Sequence, residues 1–392
     1  MKKTFFTTIS LLVFLITVVN AQNTEEVLKI IASNNKEIIA NQELFKSLVM
    51  EYKTGITPSD PRFEYGYYPG NTVAPGAKRT VGLTQSFDFP TSYKHMRKYS
   101  DKQVMIAESR LKLLNQDVLL EAKITIINLV YFMQYGLELE RRKSMAKSLF
   151  ESINKKFENG NASILDLNKA KTGLLNANND LLLNNSEIKQ NAEKLCNLNG
   201  GIEINISRAF YPEEKLPGLQ QTIDEALSKD PGFFVSKLEN EAADQNIKLQ
   251  KSLALPKLEI GYGSETVVDE SFIGGKFGMS FPLWEKKNTV KYAKTYAGYT
   301  SSVIETYKIG FVSGIKQHFI NAEALKNAYN DYNNLVLELK SEELLNKALD
   351  LGHISLIEYL LELSFYYNTV DTMMELEKKY YKALAELFKY NL

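Results

Sequence analysis

The sequence predicts a mainly α-helical chain with a small membrane β-barrel contribution, built from a duplicated helix–strand–strand–helix–helix unit. Three observations lead there. The chain matches itself at a nearly constant offset. Its longest segments lack proline and carry seven-residue apolar repeats. Between those segments lie four short stretches whose apolar residues alternate with polar or glycine residues.

The element order starts with an export signal over residues 1–21. Lys2 and Lys3 precede an apolar run over 9–19 that is short for a bilayer crossing, and Val19 and Ala21 supply small residues before a cut at Ala21–Gln22. An N-terminal anchor helix is the alternative. The first repeat covers 22–205. It opens with a helix over 25–52, by the spacing of Val27, Ile30, Ile31, Ile38, Leu44 and Leu48, and continues with strands over about 61–68 and 79–89. Long helices follow over about 93–158 and 163–198. The first contains no proline and one glycine, Gly136, and would run about 100 Å at 1.5 Å per residue. A Gly- and Pro-bearing stretch over 199–217, with 206–217 as its linker core, leads to the second repeat over 218–392. There the equivalents are a helix over 222–253, strands over about 256–264 and 272–283, and helices over about 288–351 and 355–390.

The duplication rests on three matches in the same order. Pro61-Arg62-Phe63-Glu64-Tyr65-Gly66-Tyr67 aligns with Pro256-Lys257-Leu258-Glu259-Ile260-Gly261-Tyr262. Val81-Gly82-Leu83-Thr84 aligns with Phe277-Gly278-Met279-Ser280. Gly160-Asn161-Ala162-Ser163-Ile164-Leu165-Asp166-Leu167 aligns with Gly352-His353-Ile354-Ser355-Leu356-Ile357-Glu358-Tyr359. Globular helices average about a dozen residues, so the long helices indicate coiled-coil packing. Leu167, Leu174, Leu181, Ile188 and Leu195 recur every seven residues, with Ala170, Ala177, Asn184, Asn191 and Leu198 three after each; Leu360, Tyr367, Met374, Tyr381 and Phe388 do the same near the C-terminus. Asn184 and Asn191 either weaken the first seam or face a wet surface.

Each strand has one apolar and one polar face. A soluble, half-buried sheet alternates in the same way. Three features favour a membrane barrel: lengths that suit a tilted crossing, aromatic residues Tyr68, Tyr93, Tyr262 and Trp284 assigned to strand ends as an interfacial girdle, and charged Arg62, Glu64, Lys257 and Glu259 suited to a wet lumen. Four strands cannot close a barrel, and an open edge in lipid costs several kcal/mol per unpaired group, so chains must pool strands. Two chains would supply about eight strands and three about twelve.

Composition excludes other classes. The chain has 392 residues with 47 Lys+Arg against 47 Asp+Glu, so it lacks the basic excess of a general nucleic-acid binder. A mean hydropathy of −0.25 argues against a polytopic helical membrane protein. One cysteine, Cys196, and three histidines, His95, His318 and His353, exclude a disulfide scaffold and disfavour a Cys/His metal site. The pairs Gly274-Gly275 and Gly200-Gly201 lack a phosphate-loop context, and no nucleophile–base–acid set converges, so no enzyme is expected.

On these motifs, above all the duplicated turn around Gly160 and Gly352 and the four strand signatures, the chain resembles the outer membrane efflux protein (TolC) family over essentially its whole mature length. The resemblance implies a homotrimer in the outer membrane of a Gram-negative bacterium, with a twelve-stranded barrel and a large periplasmic part, a coiled-coil α-helical tunnel. It implies the exit duct of a tripartite efflux pump for small molecules or metal cations, without cofactor or enzymatic activity. The partners would be a periplasmic adaptor (membrane fusion) protein, an inner-membrane transporter of proton-driven type and outer-membrane lipid. A type I protein-secretion duct is the alternative within the family, and a non-conducting exported coiled-coil adhesion protein the alternative outside it.

The resemblance also implies site roles. Asn159, Gly160, Asn161, Leu351, Gly352 and His353 would form the adaptor-docking tip turns. Asp166 and Glu358, each six residues after its turn glycine, with Glu362 one turn on, would ring the tunnel constriction and favour cations. An ordinary acidic residue near a helix N-terminus is the plain alternative. Some family members lock the closed tip through a basic residue and a tyrosine at positions held here by Ile354 and Leu349, so closure through that lock is not expected. His353 is either a pH-responsive group or a solvated turn residue.

Overall fold

The computed structural model describes residues 19–21, 24–70, 76–206, 211, 216–268, 270–339 and 341–392. Most of the export signal (1–18) and of the linker (207–210 and 212–215) lies outside the described residues. In chain order the elements are β1 (Val19–Ala21), α1 (Thr24–Asn34), α2 (Lys36–Lys53), β2 (Arg62–Tyr68), β3 (Lys78–Phe87), α3 (Pro90–Glu158), α4 (Ile164–Leu198), β4 (Ile204–Ile206), α5 (Leu219–Lys229), α6 (Pro231–Leu253), β5 (Lys257–Val267), β6 (Glu270–Ser280), α7 (Thr289–Glu338), α8 (Ser341–Asp350) and α9 (Leu356–Leu387). β1 and β4 pair in parallel.

Besides the short strands β1 and β4, which were not expected, the helices are divided at three places. The opening helix of each repeat is split, at Asn35 and at Asp230, positions 195 apart. Asn35 is buried and its side-chain amide donates to the Leu198 carbonyl at 2.8 Å, which ties the joint to the end of α4. Asp230 caps α6 by accepting from the Phe233 amide at 2.7 Å, and Pro231 takes the first helical position, where its missing N–H is not needed. The third division falls between α7 and α8, where one helix over 288–351 is expected.

The chain forms two compact units, and neither is a sequence repeat. One comprises 1–36, 119–215 and 322–385; the other comprises 37–118, 216–321 and 386–392. In the first unit, the α4 positions on the expected seven-residue seam are all buried or half-buried, while Leu175, Leu182 and Leu183 stand exposed. The undecided Asn184 faces inward: it is 4% exposed and donates to the Phe132 carbonyl at 2.9 Å. Gly136 makes room for it, since a Cβ there would lie 2.9 Å from its side-chain nitrogen. In the second unit, Ile223, Ala226, Ile315, Leu387 and Tyr390 form one buried cluster that seats the C-terminus on α5, and Lys229 donates to Asn391 at 2.8 Å. The last helix of each repeat thus ends against that repeat's first helix: α4 at the α1–α2 joint, α9 on α5.

Candidate functional site: an amphipathic sheet and two capped turns

The second unit holds a four-stranded antiparallel sheet in the order β2-β3-β5-β6. Paired residues share a face, so the register sorts the side chains. Arg62, Glu64, Glu259 and Lys257 lie on one face with Thr84, Ser86, Lys276 and several glycines. Phe63, Tyr65, Leu83, Ile260, Tyr262 and Phe277 lie on the other. The sheet therefore groups the four expected lumen residues on one polar face, where Arg62 and Glu64 pair at 2.8 Å. The apolar face is bare: Phe277 is 70% and Phe63 67% exposed. Bare hydrophobic faces of this extent mark a membrane or protein contact. β2 and β6 are unpaired edges.

Of the four residues expected at strand ends as an aromatic girdle, Tyr262 does not lie at one. β5 extends to Val267, which leaves Tyr262 at mid-strand on the apolar face, opposite Leu83 and Gly275. Tyr68 ends β2 on the polar face, where it pairs with Lys78. Tyr93 sits in the first turn of α3 and accepts from the Asp88 amide at 2.9 Å; Trp284 is 81% exposed in the turn after β6. The four residues thus mark three levels of the sheet. The strand outlasted its predicted end because β5 is flanked on both sides by partners, which alternation in one segment does not reveal.

The first unit holds the duplicated turns, and they are built alike. Gly160 has φ +77° and Gly352 φ +69°, the left-handed conformation that favours glycine. In the first turn the Asn161 amide reaches back to the Lys156 carbonyl at 2.7 Å and the Gly160 amide to Phe157 at 2.9 Å. In the second, His353 reaches Ala348 at 2.8 Å and Gly352 reaches Leu349 at 3.1 Å. Each pair of bonds satisfies carbonyls left open by the helix end.

Three residues after each glycine a serine starts the next helix. Ser163 Oγ accepts from the Asp166 amide at 3.1 Å, and Asp166 accepts from the Ser163 amide at 3.3 Å. Glu358 accepts from the Ser355 amide at 2.7 Å while Ser355 Oγ accepts from the Glu358 amide at 3.2 Å. Both acids close a capping box. The Ser163 hydroxyl and amide hold the Asp166 carboxyl below the usual carboxylate range, and the Ser355 amide and hydroxyl do the same for Glu358. Glu362 is exposed on α9 and plays no part in the cap. The helix before the first turn and the helices that follow both turns share one core of Ile153, Ala170, Leu356, Tyr359 and Leu363, against which Leu349 and Ile354 pack. Leu349 and Ile354, where no polar lock was expected, are apolar packing residues.

A second polar feature of this unit escaped the sequence reading. Arg142, 8% exposed, makes a bidentate pair with Asp371 at 2.6 and 3.1 Å and reaches Glu138 at 2.7 Å. Its guanidinium stacks 4.2 Å from the Tyr367 ring. Arg141 bonds Glu138 at 2.7 Å and pairs with Glu342 of α8, which also accepts from the Tyr367 hydroxyl at 3.2 Å. Burial pushes the Glu138 carboxyl up, but the hydrogen bonds from Arg141 and Arg142 outweigh it and hold the group below its ordinary value. The helical spacing of Glu138 to Arg141 and Arg142 was the available signal; the partners on α8 and α9, more than 200 positions away, were not. Among the described residues no group of three or more His, Cys, Asp or Glu side chains is placed to hold a metal ion.

No protein-family model matches the sequence, and no curated protein matches it. Solved structures do match. CusC, described with conformational changes accompanying folding and transmembrane channel formation, superposes with a TM-score of 0.80 at 14% identity, covering 95% of this chain and 92% of its own. A membrane protein from Pseudomonas aeruginosa gives 0.80 at 12% identity, covering 96% and 97%. The outer membrane channel CmeC of Campylobacter jejuni gives 0.73 at 16% identity, covering 94% and 85%. The chain therefore has the subunit fold of outer-membrane channels, over nearly its full length. The mainly α-helical subunit with a small four-stranded sheet, expected from the strand signatures and the duplicated turn, is the fold found.

Proposed function

We propose that this chain is the outer-membrane exit duct of a tripartite efflux pump. Three copies pool four strands each into a twelve-stranded barrel, and the long helices continue it as a periplasmic tunnel. The observation that carries this reading is the sheet: an apolar face open to its surroundings, a polar face opposite and two unpaired edges, a combination that lipid and neighbouring strands complete. The likeness in fold to outer-membrane channels supports it.

In this reading the duct works with a periplasmic adaptor docked at the Gly160 and Gly352 turns and with a proton-driven inner-membrane transporter. Its cargo is small molecules or metal cations. Arg62, Glu64, Lys257 and Glu259 line the wet lumen. Asp166 and Glu358, with Glu362 behind, ring the tunnel mouth and favour cations; the caps hold the first two ionised, and Lys169 lies 3.9 Å from the second Asp166 oxygen. The test is purification in mild detergent followed by planar-bilayer recording. A heat-sensitive oligomer that conducts ions is expected, whereas a water-soluble, non-conducting monomer would overturn the reading.

A further inference from the structure

The duplication reaches down to the strand register. In the first hairpin Arg62 faces Thr84, Glu64 faces Gly82 and Gly66 faces Thr80. Moving β2 by the 195 positions that separate Pro61 from Pro256, and β3 by the 196 that separate Val81 from Phe277, turns these pairs into Lys257 with Ser280, Glu259 with Gly278 and Gly261 with Lys276. All three are the pairs found in the second hairpin. The two hairpins are one structure written twice. They meet at a junction, β3 with β5, where Gly82 faces Gly263, Leu83 faces Tyr262 and Phe87 faces Leu258.

β6 is the repeat equivalent of β3, and β2 of β5. The two bare edges of the sheet are therefore the repeat counterparts of the two strands that meet at this junction. We infer that β6 pairs with β2 of a second copy of this chain in the register of the β3–β5 junction, so that Met279 stands opposite Tyr67 of the partner subunit. The inference rests on the oligomeric duct reading and specifies its interface.

The side chains fit this register. Leu83–Tyr262 becomes Met279 with Tyr67 of the partner subunit, again an aliphatic side chain against a tyrosine. Phe87–Leu258 becomes Leu283 with Phe63 of the partner subunit, the same two residue types with sides exchanged. On the polar face the Tyr68 ring already lies over Gly66, where a Cβ would come within 2.8 Å of it. The register sets Gly278 opposite Tyr68 of the partner subunit and Ser280 opposite Gly66 of the partner subunit, the small residues the ring needs. Shifting back by four residues would set Lys276 against that same glycine.

The register also gives a role to residues beyond β6. The apolar alternation of Phe277 and Met279 continues through Phe281 and Leu283, both exposed, although the strand ends at Ser280. With a partner edge beside them these residues extend the strand. The stagger repeats that of the junction within the chain and gives a strand tilt of roughly 54° from a rise of 3.3 Å and a spacing of about 4.8 Å, steeper than the common 35–45°.

Cysteine pairs in a Cys196→Ser background test the register. Tyr67→Cys is combined with Met279→Cys, Phe277→Cys or Gly275→Cys, all on the same face. Directly opposed Cβ atoms reach disulfide distance and diagonal ones do not, so the Met279 pair should form covalent oligomers on oxidation about tenfold more than the other two. Tyr65→Cys with Phe281→Cys, the next pair in the same register, should behave likewise. Strongest cross-linking through Phe277→Cys or Gly275→Cys, or none in an intact heat-sensitive oligomer, overturns the register and leaves the duct reading standing. A parent protein that shows no oligomer overturns both.

Discussion

The two repeats share their hairpins, turns and helix caps but treat their third helix differently. In the first repeat α3 runs unbroken for 69 residues. In the second the equivalent length is divided into α7 of 50 residues and α8 of 10, and α8 is held to α3 through Glu342 and Arg141. Where a few neighbouring residues specify the geometry, as in Gly-x-x-Ser with an acid three further on, the copies have stayed alike. Where long-range contacts specify it, they have diverged. The Arg142 cluster is the clearest divergence, since it draws Glu138 from the first repeat and Glu342 and Asp371 from the second.

The comparison can be broken most severely at the hairpins. Val81 and Phe277 are equivalent and both face the apolar side. If the apolar face meets lipid, Val81→Arg or Phe277→Arg should each abolish the heat-sensitive oligomer, since such a charge costs roughly 2–4 kcal/mol near the midplane. Gly274→Asp, on the polar face, should be tolerated. Next in size is the divergent cluster. Arg142→Ala removes the shared partner of Glu138 and Asp371 and should cost about 3 kcal/mol in denaturant unfolding. Lys194→Ala, which breaks the half-exposed pair with Glu121 at 2.8 Å, should cost under about 1 kcal/mol.

The shared turns should respond equally. Gly160→Val and Gly352→Val force a branched residue into the left-handed region and should each destabilise by about 1–2 kcal/mol. Ser163→Ala and Ser355→Ala should each cost about 1 kcal/mol through the lost cap. Unequal losses by thermal unfolding would show that the two turns differ in load despite their matching geometry. The smallest stability effect comes from pH. Asp166, Glu358 and Glu138 all have carboxyls held below their unfolded values, so their contribution is present above the ordinary carboxylate pKa and is lost as pH falls through the folded value. Melting temperatures should hold down to about pH 5 and fall below it, and Asp166→Asn with Glu358→Gln should flatten that fall. The same pair should reduce cation preference in planar bilayers if the acids also ring the tunnel.

The sequence by itself determined the four amphipathic strands, the two glycine turns and the seven-residue seams, because each is written in residues a few positions apart, and it showed the duplication because these local patterns recur in the same order further along the chain. Gly160 and Gly352 announce left-handed turns, and alternation assigns Arg62, Glu64, Lys257 and Glu259 to one face. It also held the Asp230–Pro231 joint, which the apolar spacing of the helix on either side obscured. The tertiary structure alone decided the rest. Asn35 breaks a helix because the end of α4 offers the Leu198 carbonyl, Tyr262 is mid-strand because β5 has neighbours on both sides, and Arg142 is buried because Asp371 meets it from another helix. Each depends on a partner far away in sequence, and no local pattern encodes which distant group will supply the bond.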